Sequence, residues 1–167
     1  HPIFFDSNSP TQRVGGEILN SFESYPHEFP MLSLGNTYSR SELFDFDKRL
    51  KKLTDIDFEY ICELKYDGVS ISLHYENGRL IRALTRGDGV IGDDVTNNVR
   101  TIKSIPLVLM GNYPSNFEIR GEIFITKSAF VHMNKLRLGE GLQPYSNTRN
   151  TASGSLKLLD SSETAKR

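Results

Sequence analysis

The chain has 167 residues, 37% hydrophobic and 25% charged, with a formal net charge of −1. That is enough for one domain with its own core, the composition is that of an ordinary soluble globular protein, and the charge gives no global signal for nucleic-acid binding. No apolar run approaches the ~20 residues that span a membrane, no secretory signal pattern is present, and Cys62 is the only cysteine, so neither an internal disulfide framework nor a Cys-rich zinc site is available. The expected setting is reducing and cytoplasmic. The first residue is His1 rather than Met, so the chain reads as a piece of something longer.

Residues 1–38 are punctuated by Ser9-Pro10, Gly15-Gly16, Pro26, Pro30 and Gly35-Asn36. They read as an irregular segment packing along a body, with a short helix near 14–22. The body is expected over 39–167. Residues 39–53 read as a helix, because Ser39 and Glu42 form a capping-box pair and Leu43, Phe46, Leu50 and Leu53 share a face. Residues 58–66 alternate as a strand, Glu59, Ile61, Glu63 and Lys65 pointing one way and Tyr60, Cys62, Leu64 and Tyr66 the other. Val69–Tyr75 and Leu80–Thr85 read as two further strands joined by Asn77-Gly78, a strong hairpin signal. Gly87-Asp88-Gly89 and Gly92 read as a loop, and Asp93 as the cap of a helix carrying Val95, Val99 and Ile102. Residues 117–125 read as a strand with Glu118, Arg120 and Glu122 on one face; Thr126 caps a helix to about Leu136. From residue 127 onward seven basic side chains face three acidic ones, a local basic bias. Hairpins with interspersed helices and no regular βαβ alternation predict an α+β fold with mainly antiparallel sheets.

Four constellations could carry chemistry. Lys65 lies between Glu63 and Asp67, with Gly68 breaking the strand. A lysine amine, whose free pKa is about 10.4, attacks only when deprotonated, and burial or a neighbouring cation favours that state while carboxylates oppose it. The structural alternative is an edge-strand lysine paired with Glu63. Thr85-Arg86-Gly87-Asp88-Gly89 places an arginine beside glycines, which suits a phosphate approached by backbone N–H groups, or else a plain turn. Glu118, Arg120 and Glu122 around Gly121 suit a cleft for a hydroxylated ligand such as ribose, or a solvent-facing strand. Asn147-Thr148-Arg149-Asn150 and Ser153-Gly154-Ser155-Leu156-Lys157 suit phosphate contacts, or a solvated loop.

In this order these segments resemble the adenylation (nucleotidyltransferase) domain of bacterial NAD-dependent DNA ligases. The resemblance runs from Asp6-Ser7-Asn8-Ser9-Pro10-Thr11-Gln12-Arg13-Val14-Gly15 through His27-Glu28-Phe29-Pro30-Met31-Leu32-Ser33-Leu34 and Glu63-Leu64-Lys65-Tyr66-Asp67-Gly68. It continues through Thr85–Gly89, Asn98-Val99-Arg100-Thr101-Ile102 and Arg120-Gly121-Glu122-Ile123-Phe124. Lys-x-Asp-Gly is shared with ATP-dependent ligases and RNA-capping enzymes; the opening segment and Met-Leu-Ser-Leu point to the NAD-dependent branch.

The resemblance implies an incomplete ATP-grasp-like nucleotidyltransferase fold. It implies that Lys65 attacks NAD to form lysyl-AMP with release of nicotinamide mononucleotide, for sealing nicked double-stranded DNA in replication and repair. Mg²⁺ is expected with the nucleotide, zinc only in parts beyond this chain, and the oligomeric state is expected to be monomeric. It gives Asp67 a catalytic role in orienting Lys65 or helping with metal. Glu63 would contact adenine, Ser33 and Leu34 would line the nucleotide pocket, Arg86 would lie near ribose or phosphate, and Glu122 would bind ribose hydroxyls. Arg149 and Lys157 would touch the DNA backbone. The family usually has proline where Thr148 stands and arginine where Lys157 stands. Its later lysine motifs, its preceding nicotinamide-mononucleotide domain and its oligonucleotide-binding, zinc and helix-hairpin-helix parts are not in this chain, so the piece alone is not expected to seal nicks. A binding module that keeps the pocket without turnover is the competing reading.

Overall fold

A computed structural model describes residues 6, 9–14 and 18–167. It is a mixture of helices and antiparallel sheet, divided into two compact units: one takes the described residues up to Met31 together with Tyr66–Arg167, the other Leu32–Lys65.

The larger unit is built on a three-stranded antiparallel sheet, β3-β2-β5, formed by β2 (Val69–Glu76), β3 (Arg79–Thr85) and β5 (Asn116–Ile123). The Asn77-Gly78 hairpin is as expected: both residues take positive φ, 49° and 75°, as a type I′ turn demands. Period-two alternation along β2 sorts its side chains. Ile71, Leu73 and Tyr75 are buried in the core with Leu80, Ala83, Val95, Val99, Leu107 and Leu156, and the Tyr75 hydroxyl donates to the Pro106 carbonyl at 2.8 Å. Ser70, Ser72 and His74 point to the other face, opposite Glu122, Arg120 and Glu118 of β5. Arg120 donates from that face to the carbonyls of Phe29 and Pro30, at 2.5 and 2.9 Å, and Glu118 accepts from the Arg120 Nε at 2.6 Å. The alternating charges thus fasten the segment before Met31 to the sheet, a use that alternation alone does not distinguish from a ligand cleft.

A second, two-stranded sheet pairs β1 (Ser24–Pro26) with β4 (Ile91–Asp93). Gly92, expected in a loop, is therefore in a strand, because the segment around Tyr25 supplies its partner. The helix expected after Asp93 is α2 (Thr96–Arg100), and Val95 and Val99 pack in the core as foreseen. Its start is held by Asp94, which accepts from the Thr96 N–H at 2.9 Å; Asp93 is committed to Lys157 and does not cap it. Arg13 closes the far end by donating to the carbonyls of Arg100, Ile102 and Ile105 at 3.0–3.1 Å. Helix α3 (Lys127–Gly139) begins at Thr126, whose hydroxyl accepts from the Ala129 N–H at 3.2 Å, as expected. Residues 147–157, with a loop as one reading, contain helix α4 (Thr148–Leu156), capped by Asn147, whose side chain accepts from the Asn150 N–H at 2.7 Å. A short α5 (Ser161–Thr164) follows. The helix expected near 14–22 is not formed at 18–22, and residues 15–17 lie outside the described residues.

In the smaller unit, α1 (Arg40–Leu53) starts where the capping box requires. Ser39 accepts from the Glu42 N–H at 3.2 Å, and the Glu42 carboxylate reaches back to the N–H of Tyr38 at 2.7 Å, one residue earlier than a strict capping box. Tyr60 donates to Asp47 at 2.9 Å and its ring lies 6.4 Å from that of Phe46. The strand expected at 58–66 does not form. A strand needs a ladder partner as well as alternation, and no described segment supplies one, so Ile61 and Leu64 stay 88% and 82% exposed.

Candidate active site

Three parts of the larger unit meet around one cavity of about 250 Å³: the start of β2 at Gly68, Val69 and Ser70, the end of β3 with Arg86 and Gly87, and α4 with Arg149, Ser153 and Lys157. Each wall has a local cause. Gly68 packs so closely on β5 that a Cβ would lie 2.2 Å from the Ile123 carbonyl oxygen, so only glycine lets the Lys-x-Asp-Gly segment approach there. Gly87 takes φ +57°, and a Cβ there would lie 1.8 Å from the Ile91 oxygen. Asp88 closes this loop by accepting the N–H groups of Ile91 and Val90, both at 2.8 Å, and these bonds hold its carboxyl below the usual carboxylate range. Arg149 and Ser153 are one turn apart on α4 and Lys157 is its C-cap, so the three face the cavity together with the buried Leu156, while Thr151, Ala152 and Ser155 of the same helix are buried.

The cavity collects three cations. Arg149 pairs with Asp67 at 3.3 Å and Lys157 with Asp93 at 2.6 Å; the Lys157 ammonium holds the Asp93 carboxyl below its ordinary range. Arg86 is the third. Glu122 lies behind the floor, accepting from the Gly68 N–H at 3.1 Å and the Ser70 hydroxyl at 2.9 Å. Tyr66 stacks on Phe124 with ring centroids 4.7 Å apart, so the residues around Asp67 are anchored to the end of β5. Of the residues singled out from sequence, Asp67, Arg86, Glu122, Arg149 and Lys157 thus belong to one neighbourhood. Ser33, Leu34, Glu63 and Lys65 belong to the smaller unit and are exposed; no ion pair joins Lys65 to Glu63 among the described residues.

Sequence reasoning missed Ser70 and Asn98. Asn98 is 1% exposed, and its amide donates to the carbonyls of Leu156 and Leu158 at 2.6 and 2.7 Å, fixing the backbone on both sides of Lys157. The signal was an asparagine on the apolar face of a helix pattern, where a side-chain amide must find buried partners.

A family model for the NAD-dependent DNA ligase adenylation domain matches residues 19–167. The chain belongs to this family. It is 58% identical over its whole length to a DNA ligase of Flavobacterium psychrophilum, 55% to one of Bacteroides fragilis and 50% to one of Thermosipho africanus, covering 25% of each relative. The chain therefore spans about a quarter of the length of these relatives. No helix among the described residues is long and apolar enough to cross a membrane.

Proposed function

We propose that the chain is the portion of an NAD-dependent DNA ligase that takes AMP from NAD, within a nucleotidyltransferase fold. The carrying observation is that Arg86, Arg149 and Lys157 line one cavity floored by the glycine of the Lys-x-Asp-Gly motif. Lys65 supplies the amine. Its Nζ attacks the phosphorus of the AMP moiety; a P–N bond forms, the P–O bond to nicotinamide mononucleotide breaks, and that nucleotide leaves with the bonding electrons while the amine gives up a proton. The reaction is phosphoryl transfer, so the protein contributes position and fixed positive charge rather than covalent chemistry beyond the lysine.

Three cations around the phosphates supply that charge without reorganisation at the moment of reaction. Glu122 takes the ribose hydroxyls, Glu63 the adenine, and Ser33 and Leu34 line the nucleotide pocket. No group of three or more His, Cys, Asp or Glu gathers to hold a metal among the described residues. Magnesium bound with a nucleotide commonly uses one or two carboxylates plus the phosphates, and Asp67 is the carboxylate available for it, the ion adding further charge neutralisation. Arg149 and Lys157, freed from their carboxylate partners, serve DNA phosphates once AMP is transferred to the 5′-phosphate of the nick.

The test is intact-mass spectrometry after incubation with NAD and magnesium. A mass increase of one adenylyl group, absent in Lys65→Ala, is expected. A retained adduct in that variant refutes the nucleophile; binding of NAD without any adduct supports a module that holds nucleotide without turnover; an adduct from ATP but not NAD would place the chain with the ATP-dependent enzymes.

A further inference from the structure

His27 belongs to the segment that resembles the family, yet the reaction above gives it no part. Its imidazole Nε2 lies 3.1 Å from the carbonyl oxygen of Arg86 and donates to it. Its Nδ1 is buried and has no hydrogen-bond partner among the described residues, so the contact with Arg86 is the ring's hydrogen bond there. The ring fits because residue 92 is glycine: a Cβ at Gly92 would stand 2.9 Å from the same Nε2. The backbone N–H of His27 also donates to the carbonyl of Val90 at 2.8 Å. One residue thus grips both ends of the loop 86–90, the side chain at Arg86 and the main chain at Val90.

The loop is closed by other bonds as well. Asp88 accepts from Val90 and Ile91, and the Met31 N–H donates to the Gly89 carbonyl at 2.8 Å. Those bonds act on residues 88–91, and the Gly89 N–H donates to the Arg86 carbonyl at 3.0 Å. The imidazole is thus a second donor to that carbonyl, reaching it from outside the loop. Removing the ring would leave the turn bond from Gly89 as the carbonyl's donor within the loop, so the peptide from which the Arg86 side chain departs would be held from one side instead of two, and a small rotation there moves a guanidinium by far more than it moves the backbone.

We propose that His27 is a positioning residue that fixes the Arg86 peptide and so aims the Arg86 guanidinium at the nucleotide. The inference rests on the nucleotide role proposed for Arg86 and goes beyond it by assigning a residue that acts through that arginine.

The test uses the full-length ligase carrying this sequence and the NAD dependence of self-adenylation. His27→Leu is expected to raise the KM for NAD about tenfold while kcat changes by less than about threefold, since the loss is one of binding orientation. His27→Gln, which offers an amide N–H near the position of Nε2, is expected to come back within about threefold of wild type, and His27→Asn, one methylene shorter, is not. In an Arg86→Ala background, His27→Leu should add less than about twofold, because residues acting as a unit are not additive. Effects of His27→Leu and Arg86→Ala that multiply would overturn the proposal, as would a KM for His27→Leu equal to wild type beside a raised KM for Arg86→Ala. If His27→Leu does not fold, equal behaviour of the Gln and Asn variants overturns it. An unchanged KM in Arg86→Ala alone would sink the nucleotide role of Arg86 itself, a failure distinct from loss of the His27 link.

Discussion

Two residues show how much of the site depends on close approach. Gly68 leaves no space for a side chain, since a Cβ would meet the Ile123 carbonyl carbon at 2.9 Å as well as its oxygen. Gly68→Ala is expected to force the start of β2 off β5 and cost about 1–3 kcal/mol, measured as a lower urea midpoint with an unchanged slope; an unaltered midpoint would contradict the packing. Glu122 is half-buried and ties the Gly68 N–H to the Ser70 hydroxyl. Glu122→Ala should lower the affinity for NAD about tenfold or more, the loss of one charge-assisted acceptor, and calorimetric titration showing wild-type affinity would exclude a ribose role. The candidate residues themselves were legible in the sequence, because Lys-x-Asp-Gly and Arg-Gly-Glu are local patterns. That Ser70 completes the Glu122 pair was not, because it follows from register: Ser70 is the cross-strand partner of Glu122 in β2 and β5.

Helix α4 decides where two of the three cations point. Asn147 caps it, and Thr148 occupies its first position, where a proline would fit without losing a helical hydrogen bond. Its far end depends on Asn98. Asn98→Leu would take the donor from the buried Leu156 carbonyl and the part-buried Leu158 carbonyl, and an expected destabilisation of about 2–4 kcal/mol should accompany weaker nucleotide binding; a shift below about 0.5 kcal/mol would show that water or other donors replace the amide. Lys157 and Asp93 give a pH signature. The Asp93 carboxyl titrates below its ordinary value when folded, so its contribution is fully present above the usual aspartate range and is lost as pH falls through the lowered folded value. Lys157→Met should therefore reduce stability near neutral pH by less than about 1 kcal/mol, the worth of a partly exposed pair, and narrow the difference between melting temperatures near pH 7 and near pH 3. An unchanged difference would mean that the pair contributes nothing in solution.

The two units should differ in local stability. The larger holds the core around Ile71, Leu80 and Val99, each at most 2% exposed, whereas α1 buries no residue and 54–67 make no ladder. Hydrogen exchange should be slowest in β2 and β3 and faster by orders of magnitude in 54–65; equal protection would mean that the smaller unit is more firmly held than its burial indicates. Local signals determined much of this protein. Turn chemistry at Asn77-Gly78, the caps at Ser39 and Thr126 and the alternation of β2 each act through neighbours a few residues away, so the sequence alone specifies them. Tertiary structure decided the rest. Alternation at 58–66 could not supply a ladder partner, the charges of β5 could not reveal that Arg120 would take the Phe29 and Pro30 carbonyls, and only folding could bring Arg86 beside Arg149 and Lys157. Those outcomes depend on which distant segment arrives to complete a hydrogen bond or share a cavity, and spacing along a chain carries no record of that.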